Sequence, residues 1–248
     1  MSRSFAPSAS PDEIARFTAM ADAWWDPNGK FKPLHKINPI RLAFLKERLL
    51  AHFDREKSAL RPFEGLRLLD AGCGGGLLSE TLTEWGFAVT GIDAGEKSIG
   101  VARMHAEKTG LSIDYRTQLP EELGESEMFD VIVSMEVIEH VPDIRRFTSL
   151  LSAHLHPGGA FFAATLNRTT KAWLEAIVAA EYILRWLPAG THTWQKFVTP
   201  AEFAAALRAC GIEVRDLVGI TFTPWKNEWN LSKNLDVNYL LYGAKNDE

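Results

Sequence analysis

The chain has 248 residues, 46% hydrophobic and 24% charged, ordinary globular values that argue against a disordered or fibrous protein. Its net charge of −5 provides no global positive field, so no nucleic-acid partner is expected. Cys73 and Cys210 stand far apart and in no CxxC pair, which argues against a disulfide framework or a cysteine-built zinc site and fits a reducing cytosol. No apolar run reaches the roughly 20 residues that span a bilayer, and Met1 to Ser10 lacks the apolar core of a secretory signal. A soluble cytoplasmic chain is expected.

Asp12 is a candidate cap for a first helix, because Glu13, Ile14, Phe17 and Met20 follow at helical spacing. That helix runs toward Trp24-Trp25 and stops at the turn sequence Asp26-Pro27-Asn28-Gly29. Pro39 fits the first turn of a second helix, Ile40 to about Phe53, with Leu42, Leu45, Leu49 and Leu50 on one side. The polar stretch Asp54–Pro62 reads as a linker. From Leu66 the pattern changes to short apolar strands alternating with helices. Leu66–Asp70 is a buried strand, Leu77–Trp85 a helix, Ala88–Ile92 a strand and Ser98–Thr109 a helix. Ser112–Tyr115 and Asp130–Ser134 read as strands, Asp143 to Leu155 as a helix, and Ala160–Leu166 as a strand after the turn His156-Pro157-Gly158-Gly159. Such alternation predicts a doubly wound, mostly parallel α/β sheet with helices on both faces. The late strands Ile212–Ile220 and Val237–Gly243 have little helix between them, which predicts an antiparallel edge.

The strongest motif is Leu68-Leu69-Asp70-Ala71-Gly72-Cys73-Gly74-Gly75-Gly76-Leu77. Glycines after a buried strand let the backbone turn sharply and approach a ligand with no Cβ in the way. Asp93 ends the next strand 21 residues after Gly72, the spacing at which a carboxylate grips ribose hydroxyls. A dinucleotide fold wants a third glycine where Leu77 stands, and Asp70 would face a bound pyrophosphate with like charge. S-adenosylmethionine has no phosphate and carries a sulfonium and an amino group, which a carboxylate helps. The residues favour that cofactor over a nicotinamide dinucleotide.

With its D-x-G-x-G loop and downstream acid, the stretch from about Leu66 to Leu166 resembles the class I methyltransferase family. The resemblance narrows further along. Phe31 to Arg41, Glu136-Val137-Ile138-Glu139-His140-Val141-Pro142, Thr165-Leu166-Asn167-Arg168 and Asp236-Val237-Asn238-Tyr239 are similar to the bacterial ubiquinone-biosynthesis O-methyltransferases, over most of residues 12–243. The resemblance implies a Rossmann-like fold and methylation of phenolic hydroxyls of polyprenylated ubiquinone precursors, at two steps of the pathway. It places Gly72, Asp93, Arg41 and Met135 on cofactor-binding positions, with Arg41 near the methionine carboxylate and Met135 near the adenosine; Asp70 and Gly74 belong to the same loop. The expected organisation is an N-terminal helical cap and linker at 1–62 and a catalytic domain at 63–248. An inserted helix is expected after the fifth strand, at about 168–198.

Glu136, Glu139 and His140 stand at i, i+3 and i+4 and share a face wherever the backbone is helical. They follow an apolar strand, at the carboxyl edge where open α/β sheets build their sites. Two carboxylates and an imidazole suit a divalent metal ion, Mg²⁺ or Zn²⁺, with substrate oxygens completing its shell. Alternatively His140 is itself the base for a phenol of pKa about 10. The plain alternative is a polar cap for the helix after Pro142.

Trp173, Ile177, Ala180, Leu184 and Leu187 recur at helical spacing, flanked by Arg168, Lys171 and Arg185. Such a helix either lies in a bilayer interface or forms the lid of the substrate pocket. Membrane contact through 168–187, a peripheral place on the inner membrane and a biosynthetic complex are the corresponding partner expectations. Trp24 and Trp25 read as packing residues over the cofactor, and His192 and Lys196 as candidates for the substrate mouth. Two rivals are a nucleotide-dependent oxidoreductase, against which Asp70 and Leu77 speak, and a cofactor-binding scaffold, against which the Glu-x-x-Glu-His cluster speaks.

Overall fold

The structure is a computed structural model and describes residues 7–174, 194–223 and 228–247. Among them eight strands form one sheet. In chain order they are β1 Arg67–Ala71, β2 Ala88–Asp93, β3 Asp114–Thr117, β4 Phe129–Met135, β5 Leu155–Leu166, β6 Ile212–Thr223, β7 Glu228–Ser232 and β8 Asn238–Lys245. The order across the sheet is β3-β2-β1-β4-β5-β8-β6-β7. The first five strands are parallel, and β8, β6 and β7 continue the sheet by antiparallel pairing. The expected mostly parallel sheet with an antiparallel edge is what forms.

Side chains alternate across a strand, so each strand feeds two cores. Leu69, Ile132, Phe161, Tyr239 and Leu241 belong to one, covered by α5 (Ile144–Ala153) through Phe147 and Leu151 and by α7 (Pro200–Ala209) through Phe203 and Leu207. Leu68, Val131, Val133, Phe162 and Leu240 belong to the other, covered by α2 (Lys32–His52) through Phe44, Leu45 and Leu49 and by α3 (Leu77–Glu84) through Leu78 and Leu82. Among the described residues the remaining α-helices are α1 Pro11–Thr18, α4 Glu96–Thr109 and the short α6 Thr170–Ala172.

The local differences from expectation have physical reasons. The cap of α1 is Ser10, whose hydroxyl accepts from the Glu13 amide, while Asp12 stands in the first turn beside the dipole's positive end. Helix α2 begins at Lys32 with Pro33 in its first turn, and Pro39 lies inside it. An interior proline costs about 3 kcal/mol. Ile37 and Phe31, buried at 6% and 3% exposure, hold the extra turns in place by packing. The sequence His156-Pro157-Gly158-Gly159 is not a turn before β5 but an irregularity within it: Phe129 pairs with Leu155 and Val131 with Ala160. Asp143 caps α5, so Glu136, Glu139 and His140 are not that helix's cap. The helix expected on Trp173 to Leu187 falls mostly outside the described residues.

β1 brings a charge into the core. Asp70 is 2% exposed, and Ser79 Oγ of α3 donates to its Oδ2 at 2.6 Å. Burial pushes the carboxyl up to about 6, against the opposing Ser79 bond and the charge of Arg41. A carboxyl raised on folding destabilises the fold above its native pKa, and that cost disappears as pH falls through it. Asp70→Asn should therefore stabilise the cofactor-free chain at pH 7.5 by on the order of 2 kcal/mol, and by less at pH 5. Thermal melts at the two pH values check this; an unchanged or lower melting point at pH 7.5 would refute it.

Candidate active site

The carboxyl ends of β1, β2 and β4 open into a cavity of about 820 Å³, the edge where ligands bind in open α/β sheets. Gly72, Gly74, Asp93, Met135, Glu136, Glu139 and His140 all line it, so seven expected site residues meet there. Arg41 and Asp70 do not line it. They stand behind its wall: Arg41 is 4% exposed, gives a hydrogen bond from Nη2 to Asn38 Oδ1 at 3.1 Å, and faces Glu136 Oε1 at 3.9 Å.

The glycine loop has the conformation its composition calls for. Gly72, Gly74 and Gly76 have φ of +83°, +54° and +86°, values that a side chain opposes. A Cβ on Gly74 or Gly75 would come within 2.3 or 2.4 Å of the Trp24 ring, and one on Gly72 within 2.3 Å of Val137. The bare backbone therefore admits the N-terminal cap as well as a ligand. Trp25 adds a bond from Nε1 to Gly75 O at 2.9 Å. The Asp93 carboxylate fixes the loop from the other side, accepting from Gly74 N at 3.0 Å and Gly95 N at 2.7 Å. Burial raises the Asp93 pKa, and these two amide bonds oppose the rise.

Beyond β4 the chain turns sharply. Glu136 has φ +58°, the left-handed region in which a non-glycine residue costs on the order of 1–3 kcal/mol. Ile138–His140 follow as one 3₁₀ turn, with Glu139 2% exposed and accepting from Thr165 Oγ1 of β5 at 2.7 Å. Burial and the neighbouring Glu139 push Glu136 up to about 7, against the charges of Arg41 and His140. Oε1 of Glu136 and Oε1 of Glu139 are both buried without a hydrogen-bond partner. His140 instead faces the N-terminal helix, its Nδ1 lying 3.3 Å from Glu13 Oε2. Burial draws the imidazole down, but Glu13 and Glu139 outweigh it and its pKa lies above the ordinary histidine value.

Among the described residues no group of three His, Cys, Asp or Glu side chains is gathered as a metal ion would require. Glu136, Glu139 and His140 are thus neighbours on one wall but not a preassembled metal centre. The two carboxylates, each with a buried oxygen that makes no hydrogen bond, have the donor chemistry a divalent cation takes. The imidazole is engaged with Glu13.

Sequence reasoning missed Glu13 and Ser98. Ser98 is 1% exposed on α4, lines the cavity beside Asp93, and its Oγ has no partner. Neither residue stands in a motif; only the packing of α1 and α4 on the site brings them in. Lys196, expected at the substrate mouth, bonds Glu13 Oε1 from Nζ at 3.0 Å. Arg168 and Lys171, the expected flanking cations of the inserted helix, pair with Glu202 and with Asp236. Among the described residues no helix is long and apolar enough to cross a membrane.

Comparison with known proteins agrees with this geometry. The methyltransferase-domain family matches residues 41–217. The chain is 62% identical over 238 residues to the ubiquinone biosynthesis O-methyltransferase of Paramagnetospirillum magneticum, covering 96% of each chain. It is 51% identical over 234 residues to the protein of that name from Rhizobium etli, covering 94% of each. Among solved structures, a magnesium protoporphyrin IX methyltransferase from Synechocystis with bound SAH superposes with a TM-score of 0.64 at 20% identity, over 94% of this chain and 93% of that one. At that identity the likeness speaks for the fold alone, a class I methyltransferase sheet. The curated relatives carry the finer assignment: the chain belongs to the methyltransferase-domain family and, within it, to the ubiquinone biosynthesis O-methyltransferases.

Proposed function

We propose that the chain transfers the methyl group of S-adenosylmethionine to phenolic hydroxyls of polyprenylated ubiquinone precursors, and that it serves both O-methylation steps of ubiquinone biosynthesis. The observation that carries this reading is a shared cavity. Gly72, Asp93 and Met135 of the cofactor strands and Glu139 and His140 of the 3₁₀ turn line the same space. Its remaining wall includes Phe17, Leu34, Ile37 and Phe222, an apolar lining suited to a prenyl tail.

S-adenosylmethionine fits the residues present, since no cationic phosphate cradle is needed and the loop offers bare backbone beside a carboxylate. When bound, it supplies an electrophilic methyl on a sulfonium centre. Asp93 takes the ribose hydroxyls, the Gly72–Gly76 loop admits the methionine end, and Met135 packs near the adenosine. His140 would accept the phenol proton as the phenolic oxygen takes the methyl group that the sulfonium centre supplies. The cap residues Trp24 and Phe31 exclude water, and the walls hold oxygen and methyl in line.

A second reading is favoured by Oε1 of Glu136 and Oε1 of Glu139, both buried and without a hydrogen bond. A divalent metal ion, Mg²⁺ or Zn²⁺, held by Glu136, Glu139 and His140, would stabilise the phenolate by its charge. Transfer of labelled methyl to a short-chain catechol tests both. His140→Ala should lower kcat by about 10²–10⁴-fold, the usual weight of a general base. With His140 as base, chelation leaves turnover intact; with a required cation, chelation abolishes it and added Mg²⁺ or Zn²⁺ restores it. No turnover with any catechol would sink the functional reading itself.

For the cofactor, Asp93→Ala should weaken S-adenosylmethionine binding by about 1.5–3 kcal/mol, roughly 10- to 100-fold, through the lost ribose grip and the loosened glycine loop. Calorimetry checks it, and unchanged affinity removes Asp93 from the site.

Membrane-surface contact through 168–187, and with it a peripheral place on the inner membrane near other enzymes of the pathway, is part of the same reading. Trp173 and Leu174, 44% and 54% exposed, support it as apolar side chains in contact with solvent. Trp173→Ser should reduce liposome flotation and turnover of a long-prenyl substrate more than turnover of a truncated one. Equal losses on both substrates would instead make Trp173 a packing residue.

A further inference from the structure

We propose that Glu13, on the N-terminal helix, is the positioning residue of His140, so that docking of α1 completes the active site rather than merely covering it. The inference rests on the reading of His140 as the proton acceptor. It also states something that reading lacks: which group orients the imidazole, and where in the chain that group comes from.

The Glu13 residue is 8% exposed, and a carboxylate so buried is costly unless it is paired. Oε1 accepts from Lys196 Nζ at 3.0 Å, while Oε2 faces His140 Nδ1 at 3.3 Å as an ion-pair contact without hydrogen-bond geometry. Arg16 Nη1 approaches Oε2 at 3.5 Å from the exposed side of the same helix. Phe17 lies four residues after Glu13, hence on the same face of α1, and meets the His140 ring edge to face at 5.2 Å and 85°. One short helix thus contacts the imidazole twice, with a charge on one nitrogen and an aromatic ring across its plane. Among the described residues Glu139 also acts on the ring from the core side, with Glu136 beyond it, and the Lys196 charge opposes the two carboxylates.

The arrangement has a definite chemical consequence. A carboxylate facing Nδ1 favours the imidazole proton on that nitrogen, which makes Nε2 the accepting nitrogen of the neutral ring, and the charge and the Phe17 ring together restrict rotation about χ2. Helix α1 has eight residues, too few to persist alone in water, so it exists because it is docked. The segment just before it is anchored as well: Ser8 N and Oγ both donate to the Glu121 carboxylate, at 2.8 and 2.6 Å. Cap docking and base orientation are therefore one event, and water is excluded when the base takes its working pose. Lys196 ties the same carboxylate to the chain beyond residue 193, so three segments distant in sequence converge on one oxygen pair.

Two measurements test this on the full-length enzyme. In steady-state kinetics with S-adenosylmethionine and a short-chain catechol, Glu13→Ala should lower kcat by about 10- to 100-fold, the cost of a misplaced catalytic group, with cofactor affinity by calorimetry unchanged. Glu13→Gln, which keeps an oxygen for Nδ1–H, should retain most of the activity, and Glu13→Ala should cost nothing further in a His140→Ala background. In ¹⁵N-histidine spectra, neutral His140 should be the Nδ1–H tautomer in the native enzyme and revert toward the Nε2–H form in Glu13→Ala and Glu13→Leu. The spectra need no turnover, so they decide even where a variant's activity is compromised by folding. Normal kcat in Glu13→Ala, an equal loss with and without His140, or an unchanged tautomer would overturn the proposal. Full activity of His140→Ala would overturn the base reading beneath it.

Discussion

The carboxylate of Asp93 accepts hydrogen bonds from the amides of Gly74 and Gly95, and the geometry of the site depends on that pair of bonds. They join the loop after β1 to the loop after β2, so two adjacent strand ends act as one rigid rim. On that rim the glycine loop keeps its left-handed residues, and against those bare residues Trp24 packs. Trp24 stacks on Phe31 at 3.8 Å, which anchors the start of α2 and, with it, the N-terminal cap. A side chain at Gly74 would therefore act at two places: it would strain the loop and lift the cap from the cavity that the cap helps to wall.

The opposite wall is set by a different constraint. After β4 the chain passes through Glu136 at φ +58° and one 3₁₀ turn, a strained path that turns two acids and a histidine into the cavity. Glu139 is secured by Thr165 of the neighbouring strand, and Glu136 is opposed by Arg41 from behind the wall. Burial and mutual repulsion keep one of these carboxyls easily protonated, so the wall is poised between holding a proton and holding a cation. That makes the same three residues legible both as a base with its polar support and as ligands awaiting a metal.

How much of this could be read from the residues depends on the range of the signal. The glycines of the β1 loop, Asp93 and the Glu-x-x-Glu-His cluster are local patterns at strand ends, and all of these patterns reach the cavity wall, while Asp70 stands behind it. The start of α7 is legible in sequence, since Thr199 and Glu202 form a capping box, each bonding the other's backbone amide. Pro39 misled because an isolated proline marks a helix start, whereas here tertiary packing carries the helix through it. β7 is five residues with alternating exposure on the sheet's outer edge, a pattern too short to register alone. Glu13 and Lys196 lie 183 residues apart, and their meeting at His140 leaves no trace in any window of sequence.

The place of β8 has a consequence for how the chain reaches this state. Although Asn238–Lys245 follows β6 and β7 in the chain, it lies between β5 and β6, and β6 carries β7. Until β8 arrives, β5 presents an open edge, and the β6–β7 ribbon has nothing to join. On a ribosome the five parallel strands can assemble as they emerge, while the antiparallel third of the sheet must wait. Closing that gap means pairing residues such as Ala163 with Leu241, a contact of long sequence separation whose loop entropy is met late. Ile220 and Phe222 of the cavity wall arrive only with that final insertion, so the nascent chain has its glycine loop before it has an enclosed pocket.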